Sequence, residues 1–311
     1  MKATAFAPVN VALIKYWGKR DEKLRLPVNS SLSVNLTKMG TVTTVAWVKG
    51  LKQDEADERM IKHLDRIRGL AKINFKAKVV TQNNFPVAAG LSSSASGFAA
   101  LTLAATAAAG LKMSEKELSR LARLGSGSAC RSIPNGWVEW VKGKDDFTSY
   151  AKTIFPTRHW DLRILVVILS QQEKKVSSTD GQELAKTSAF FKERVKGIDQ
   201  KIIKIKQAIK EKNFREIGVI MEEDCLNMHA VMLTSQPSLI YWLPETVRVI
   251  QAIREWREQG LESYFTINTG QNVFVFCEPN NEDQLVDKLS HLRGVIGVRR
   301  EKVGLGARLL A

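Results

Sequence analysis

Residues 83–97 read Asn-Asn-Phe-Pro-Val-Ala-Ala-Gly-Leu-Ser-Ser-Ser-Ala-Ser-Gly, a stretch whose small side chains and hydroxyls suit an anion cradle. Pro86, Gly90 and the serines lead into an alanine-rich run over 98–109 that has no breaker before Gly110 and reads as a helix. Small residues opening a helix leave backbone N–H groups unpaired at the positive end of its dipole, which suits a phosphate. The serine hydroxyls add donors and an oxygen for a Mg²⁺ ion. The stretch predicts a nucleoside triphosphate and phosphoryl chemistry. Taken alone it serves equally well as a flexible connector. It lacks the Gly-Lys-Ser/Thr ending of a Walker A loop and the spacing of a dinucleotide fingerprint.

Four further segments carry groups suited to a phosphorylated substrate. In residues 10–19, Asn-Val-Ala-Leu-Ile-Lys-Tyr-Trp-Gly-Lys, Lys15 and Lys19 share one face if the segment is helical, but Gly18 makes a loop an equal reading. Two lysines beside Tyr16 and Trp17 could pair with phosphates behind a wall that excludes water; a surface lysine pair is the plainer account. Residues 26–33, Leu-Pro-Val-Asn-Ser-Ser-Leu-Ser, are polar and turn-forming and read as a loop. Residues 125–132, Gly-Ser-Gly-Ser-Ala-Cys-Arg-Ser, fit either an oxyanion-binding backbone, with Arg131 forked onto a carboxylate or phosphate, or a tight structural turn. Residues 264–276 read as a strand with a turn at Gly270. Its Asn268, Thr269, Gln271 and Asn272 are unusually polar for a core, so it is either a site or an edge strand with a solvated face.

The elements around these segments follow from pattern. Residues 41–48 and 76–81 are β-branched and partly alternating, as in half-buried strands. Ser114 and Glu117 form a capping box for a helix ending near Gly125, and 163–169 is a buried strand. Amphipathic helices are expected over 181–211, 213–230 and 243–259, with another near 282–292. Strands followed by helices suggest two α+β lobes meeting near residue 172, with a ligand between them.

With 311 residues the chain buries a large core, and 44% hydrophobic and 25% charged residues are ordinary for a globular protein. No apolar run approaches the roughly 20 residues of a membrane span, and the N-terminus lacks a signal-peptide pattern. No membrane partner and a cytoplasmic location are therefore expected. Three scattered cysteines and four histidines match no zinc spacing, so the thiols read as buried and inert. The net charge is +15, and much of the excess lies in 186–212, where Lys186, Lys192, Arg194, Lys196, Lys201, Lys204, Lys206, Lys210 and Lys212 recur at helical spacing. A solvated helix face is the expectation, with a nucleic-acid partner as runner-up.

The string Pro86-x-x-x-Gly90-Leu91-x-Ser93-Ser94-Ala95-Ser96 resembles the phosphate-binding motif of the GHMP kinase superfamily. Residues 12–19, Asn29-x-Ser-Leu-Ser33, 125–132, Val176-Ser-Ser-Thr-Asp-Gly181 and 265–273 join it in order, and together they resemble the mevalonate diphosphate decarboxylases of that superfamily. The resemblance covers nearly the whole chain. It implies an α+β, two-lobed GHMP-type fold, with a ribosomal S5 domain 2-like lobe over 1–172 and a ferredoxin-like α/β lobe over 173–311. It also implies a homodimer, with ATP and Mg²⁺ as cofactors. The implied reaction phosphorylates the tertiary 3-hydroxyl of a mevalonate 5-phosphate ester, after which phosphate and carbon dioxide depart to leave an isopentenyl ester.

By the same resemblance Gly90, Leu91, Ser92, Ser93, Ser94, Ala95 and Ser96 hold the ATP phosphates, with Ser94 on the Mg²⁺. Lys19 and Tyr16 lie beside the substrate, Asn10 and Arg131 grip its carboxylate, and Ser126, Ser128, Ser178 and Thr179 take its phosphate end. Relatives carry either arginine or threonine where Thr179 stands. One departure concerns the family's final-strand pattern Asp-Ala-Gly-Pro-Asn, which here reads Asn268-Thr-Gly-Gln-Asn272. An amide accepts a hydrogen bond from the 3-hydroxyl but takes no proton from it. General-base help is worth about 10²–10⁴-fold, although a loose phosphoryl-transfer transition state leans more on positioning and charge. The substitution leaves these alternatives: a slow but competent enzyme, a different substrate (the 5-monophosphate or 3,5-bisphosphate) or a kinase that stops at the 3-phosphate, or an inactivating substitution made to trap a complex. The retained Lys19, Arg131 and phosphate loop argue against a catalytically silent binding protein.

Overall fold

In the computed structural model the described residues are 1–86, 90–172, 174 and 176–311. β1 (Lys2–Ile14) is followed by a small ribbon, β2 (Lys19–Asp21) and β3 (Leu26–Pro27), then by the long β4 (Ser31–Val48). Next come α1 (Glu58–Ala71), β5 (Lys76–Asn83), α2 (Ser93–Ala108), α3 (Glu115–Gly125), β6 (Trp137–Trp140) and β7 (Ala151–Phe155). The second half runs through β8 (Arg163–Ile168), α4 (Ser178–Glu183), α5 (Phe191–Glu211), α6 (Phe214–Leu233) and α7 (Pro244–Glu258). It ends with β9 (Tyr264–Thr266), β10 (Val273–Cys277), α8 (Glu282–Ser290), β11 (Gly297–Lys302) and β12 (Arg308–Leu310).

The first lobe is built on a sheet ordered β12-β1-β4-β6-β7, with β5 also on β4. α2 and the second half of β4 give this lobe its core. Ala99, Ala100, Ala104 and Ala105 are fully buried, and the Trp47 indole donates to the Ala105 carbonyl at 3.0 Å. A helix apolar on every side belongs inside a protein, and its burial fixes where its N-terminus points. The second lobe carries the antiparallel sheet β11-β8-β10-β9. In chain order these strands stand 4-1-3-2, the ferredoxin-like arrangement of a β-α-β-β-α-β unit. The fold is thus α+β and two-lobed.

Several expectations change. The division at residue 172 falls too late for sheet membership, because β8 already belongs to the second sheet and β12 returns to pair with β1. Ser31, Ser33 and Asn35, read in part as loop, lie in β4 and are buried; polar residues turned inward hid the strand's alternation. The helix expected over 181–211 breaks into α4, a 3₁₀ turn at Leu184–Thr187 and α5. Arg194, grouped with the solvated lysines, is buried in an ion pair with Asp224. The capping box at Ser114 and Glu117 forms as read. The three cysteines are buried and free. Among the described residues no helix is long and apolar enough to cross a membrane.

Candidate active site

α2 begins at Ser93, five residues before the expected start, because Ser92 adopts a left-handed conformation, φ 61° and ψ 31°, as its N-cap. No described side chain caps this end and its first turn carries no acid. Gly90 also has positive φ, and a Cβ there would lie 2.4 Å from Gly270 Cα, so the serine loop and the loop over 267–272 touch backbone to backbone. The turn expected at Gly270 is this loop, between β9 and β10. Asn272 pins the far side of the loop, its Oδ1 accepting from the Leu169 and Ser170 amides at 2.7 and 3.1 Å.

A cavity of about 370 Å³ opens at the start of α2, between Thr41 and Asn83 of the sheet, Arg59 and Met60 of α1, and Lys174 and Ser178 of the second lobe. Of the residues expected to hold phosphates, Gly90, Ser92, Ser93 and Ser94 line it. Leu91, Ala95 and Ser96 do not: all three are fully buried, and Ser96 Oγ is bonded to Thr41 Oγ1 at 2.7 Å. The Lys174 ammonium donates to Ser178 Oγ at 2.6 Å and to the Thr269 carbonyl at 2.9 Å. Burial lowers its pKa to about 8. The helix end, the hydroxyls and this ammonium suit a nucleotide's phosphates. Among the described residues no three carboxylate, histidine or cysteine groups gather, and both Asp57 and Ser94 line this cavity.

A second cavity, about 60 Å³, is lined by Lys15, Tyr16, Ser128, Arg131 and Asn268. Arg131 is buried, donating to Ser31 Oγ at 2.7 Å and Asn10 Oδ1 at 3.2 Å. Its Nε meets no acceptor among the described residues. Asn10 does not line the cavity; its amide nitrogen donates to Ser132 Oγ and the Ser128 carbonyl, so it braces Arg131 from behind. Tyr16 packs edge-on to Trp140 at 4.6 Å, and Gly127 makes room for it, since a Cβ there would lie 2.7 Å from its ring. Burial holds the Tyr16 phenol protonated far above its usual range.

Lys15 lies in a loop after β1, which decides between the two readings of its segment. Its ammonium donates to the Ala12 carbonyl at 2.7 Å and to Asn268 Oδ1 at 3.1 Å. Burial lowers its pKa to about 8, with Arg131 and Arg194 pushing the same way and Cys225 and Asp224 opposing. The loop is held by the second lobe: Asp224 accepts from the Lys15 amide at 2.7 Å and from Arg194 at 2.8 Å. Asn268 spans the cleft, since its Nδ2 donates to Ser92 Oγ at 3.0 Å. The third cavity, again about 60 Å³, adds Lys19, Arg25, Ser126 and Thr179 to Tyr16 and Ser128. Lys19 is ion-paired to Glu22 and lies 3.9 Å from Glu183.

Two family models match this chain. Residues 7–151 match the diphosphomevalonate decarboxylase-like N-terminal domain, and residues 164–301 match the mevalonate 5-diphosphate decarboxylase C-terminal domain. The chain belongs to the diphosphomevalonate decarboxylase family. The diphosphomevalonate decarboxylase of Bos taurus is 35% identical, the alignment covering 93% of this chain and 80% of that protein. That of Saccharomyces cerevisiae is 36% identical, covering 94% and 82%. The crystal structure of mevalonate diphosphate decarboxylase from Staphylococcus aureus superposes with a TM-score of 0.93 at 38% identity, covering 100% of this chain and 98% of that one. A structure described as MDDEF with MVAPP, AMPPCP and magnesium gives 0.93 at 37% identity, covering 100% and 99%.

Within this family framework, three cleft residues escaped the sequence reading. Lys15 was visible only as half of a lysine pair, because its partner Asn268 lies 253 positions away. Lys174 lies before the lysine run at 186–212, and Arg25 just before the segment over 26–33. Neither carries a local signal.

Proposed function

We propose that this chain catalyses the ATP- and Mg²⁺-dependent decarboxylation of mevalonate 5-diphosphate to isopentenyl diphosphate, by way of phosphorylation at the 3-hydroxyl. The observation that carries the reading is the continuity of the cleft. Ser92, Ser178 and Thr269 line the large cavity at α2 and both small ones around Arg131 and Lys19. A triphosphate and an anionic ester bound on the two sides of that seam would meet at Asn268. Family membership over nearly the whole chain supports the same reaction.

Bound there, the magnesium nucleotide supplies a phosphoryl group that turns hydroxide, a poor leaving group, into phosphate, a good one. The remaining work belongs to side chains. Arg131, steadied by Ser31 and Asn10, grips the carboxylate while the C–C bond breaks. Lys19, Tyr16, Ser126 and Ser128 receive the 5-phosphates, with Ser178 and Thr179 beside them. Asn268 orients the 3-hydroxyl by hydrogen bonding, and the Lys15 charge stabilises oxygens that gain charge in the transition state. Lys174 and the first turn of α2 hold the nucleotide phosphates. A homodimer completes the reading, supported by the family resemblance and tested by light scattering. Incubation with the 5-diphosphate and ATP should release carbon dioxide and ADP in equal amounts. No turnover with any mevalonate ester would sink the assignment.

Asn268 favours a second reading, in which the substrate is the 5-monophosphate or the 3,5-bisphosphate, or the product is the 3-phosphate. Mass spectrometry separates these. A stable 3-phosphate accumulates only if decarboxylation fails, and carbon dioxide released from the bisphosphate without ATP identifies that ester.

A further inference from the structure

Arg25 sits between the motifs at 12–19 and 29–33 and belongs to neither. It lies just before β3 with φ 49°, a left-handed conformation uncommon outside glycine. Its Nε donates to the Leu124 carbonyl at 3.1 Å, anchoring the guanidinium at the end of α3. The half-buried side chain lines the outer small cavity with Tyr16, Lys19, Ser126, Ser128 and Thr179. Lys19 there already has Glu22 and Glu183 as neighbours, whereas among the described residues no carboxylate forms an ion pair with Arg25. Burial lowers its pKa; Tyr16 and Glu22 oppose that shift, while Arg59 and Arg66 add to it. A partly desolvated guanidinium in cationic surroundings lacks an anion, and its planar fork matches a phosphate.

Position narrows what that anion is. Arg131 lines the inner small cavity and not the outer one, Arg25 the outer and not the inner, and Tyr16 and Ser128 line both. A ligand with its carboxylate on Arg131 therefore reaches Arg25 with its opposite end. We propose that Arg25 grips the distal phosphate of the 5-diphosphate ester and makes this enzyme prefer it to the 5-monophosphate. The proposal rests on the reaction assigned above.

The test compares wild type, Arg25→Gln and Arg25→Lys for turnover of both esters and for binding of each ester by calorimetry. Arg25→Gln should raise KM and Kd for the 5-diphosphate about 10–100-fold, as expected for losing a charged hydrogen-bonding pair. Its kcat, and both constants for the 5-monophosphate, should change less than about threefold, and Arg25→Lys should recover part of the loss. Equal shifts for the two esters, no shift, or no binding of the 5-diphosphate would overturn the proposal. Calorimetry keeps the two claims apart. Arg25-dependent binding without turnover would break the assigned reaction alone, and turnover with an unchanged KM would break the Arg25 assignment alone.

Discussion

At the α2 end of the cleft the groups that face an anion are hydroxyls, a helix terminus and two cations, Arg59 and Lys174. At the other end they are Lys15, Lys19, Arg25 and Arg131 around Tyr16. The first end depends on backbone shape: two positive-φ residues, Gly90 and Ser92, and a helix buried on all sides. The second depends on desolvated charge: Lys15, Arg25 and Arg131 are braced by neutral partners or by residues from far along the chain, and Lys19 by the nearby Glu22. Backbone amides keep their polarity wherever the chain is folded correctly. Buried ammonium and guanidinium groups must be paid for by the rest of the structure, as the Asp224–Arg194 pair behind Lys15 illustrates.

The comparison breaks most readily at the charged end. Arg131→Met should lower kcat/KM for the ester by about 10³-fold, because two charged hydrogen bonds of roughly 1.5–3 kcal/mol each are lost. Steady-state kinetics measures this, and a fall below about tenfold would mean that the carboxylate is held elsewhere. Asn268→Asp should raise kcat by about 10²-fold if the position keeps the family's proton-accepting role. An unchanged or lower rate would mean that the site is built around the amide.

The backbone end should respond differently. Gly90→Ala sets a Cβ 2.4 Å from Gly270 Cα at a φ of +78°, so the two loops must part. KM for ATP should rise about 10–100-fold, since a misplacement near 1 Å is that costly, while KM for the ester stays put. Matching rises in both constants would show that the two ends are not independent.

The smallest effect is on stability. The Lys15 pKa is lowered from 10.5 to about 8, so between those values the unfolded chain binds more protons than the folded one. The destabilisation is fully present below pH 8, and stability rises as pH climbs from 8 towards 10.5, by about 3 kcal/mol at most. Asn268→Asp places a carboxylate beside the ammonium and should flatten that rise. Urea unfolding of both proteins at pH 7, 8.5 and 10 tests this, because Lys174 and the tyrosines titrate alike in the two. Parallel curves would count against it.

Local chemistry was legible. The Ser114–Glu117 box spans four residues and folds as written, and the alanine run declares a buried helix. The serine loop reads as a phosphate cradle, but nothing in its sequence tells that Ser96 turns inward to Thr41 while Ser94 faces the cavity. Arg194 was misread with the exposed lysines because its helical spacing is theirs; only Asp224, 30 positions on, sets it apart. The turn at Gly270 was legible from its glycine and polar neighbours, but not the backbone contact with Gly90.

By itself the sequence determined what each short segment can do: where helices cap, which loop carries hydroxyls, and that residue 268 is an amide that takes up no proton. Tertiary structure decided which of these groups share a cavity and which charges are buried. Asn268 meets Lys15 and Ser92 only because two lobes close on each other, and Arg25 reaches a cavity shared with Ser126 and Thr179 while its Nε is bonded to the Leu124 carbonyl of α3. Capping and helix formation act over a few residues, whereas desolvation and cavity shape depend on chain segments that are hundreds of residues apart.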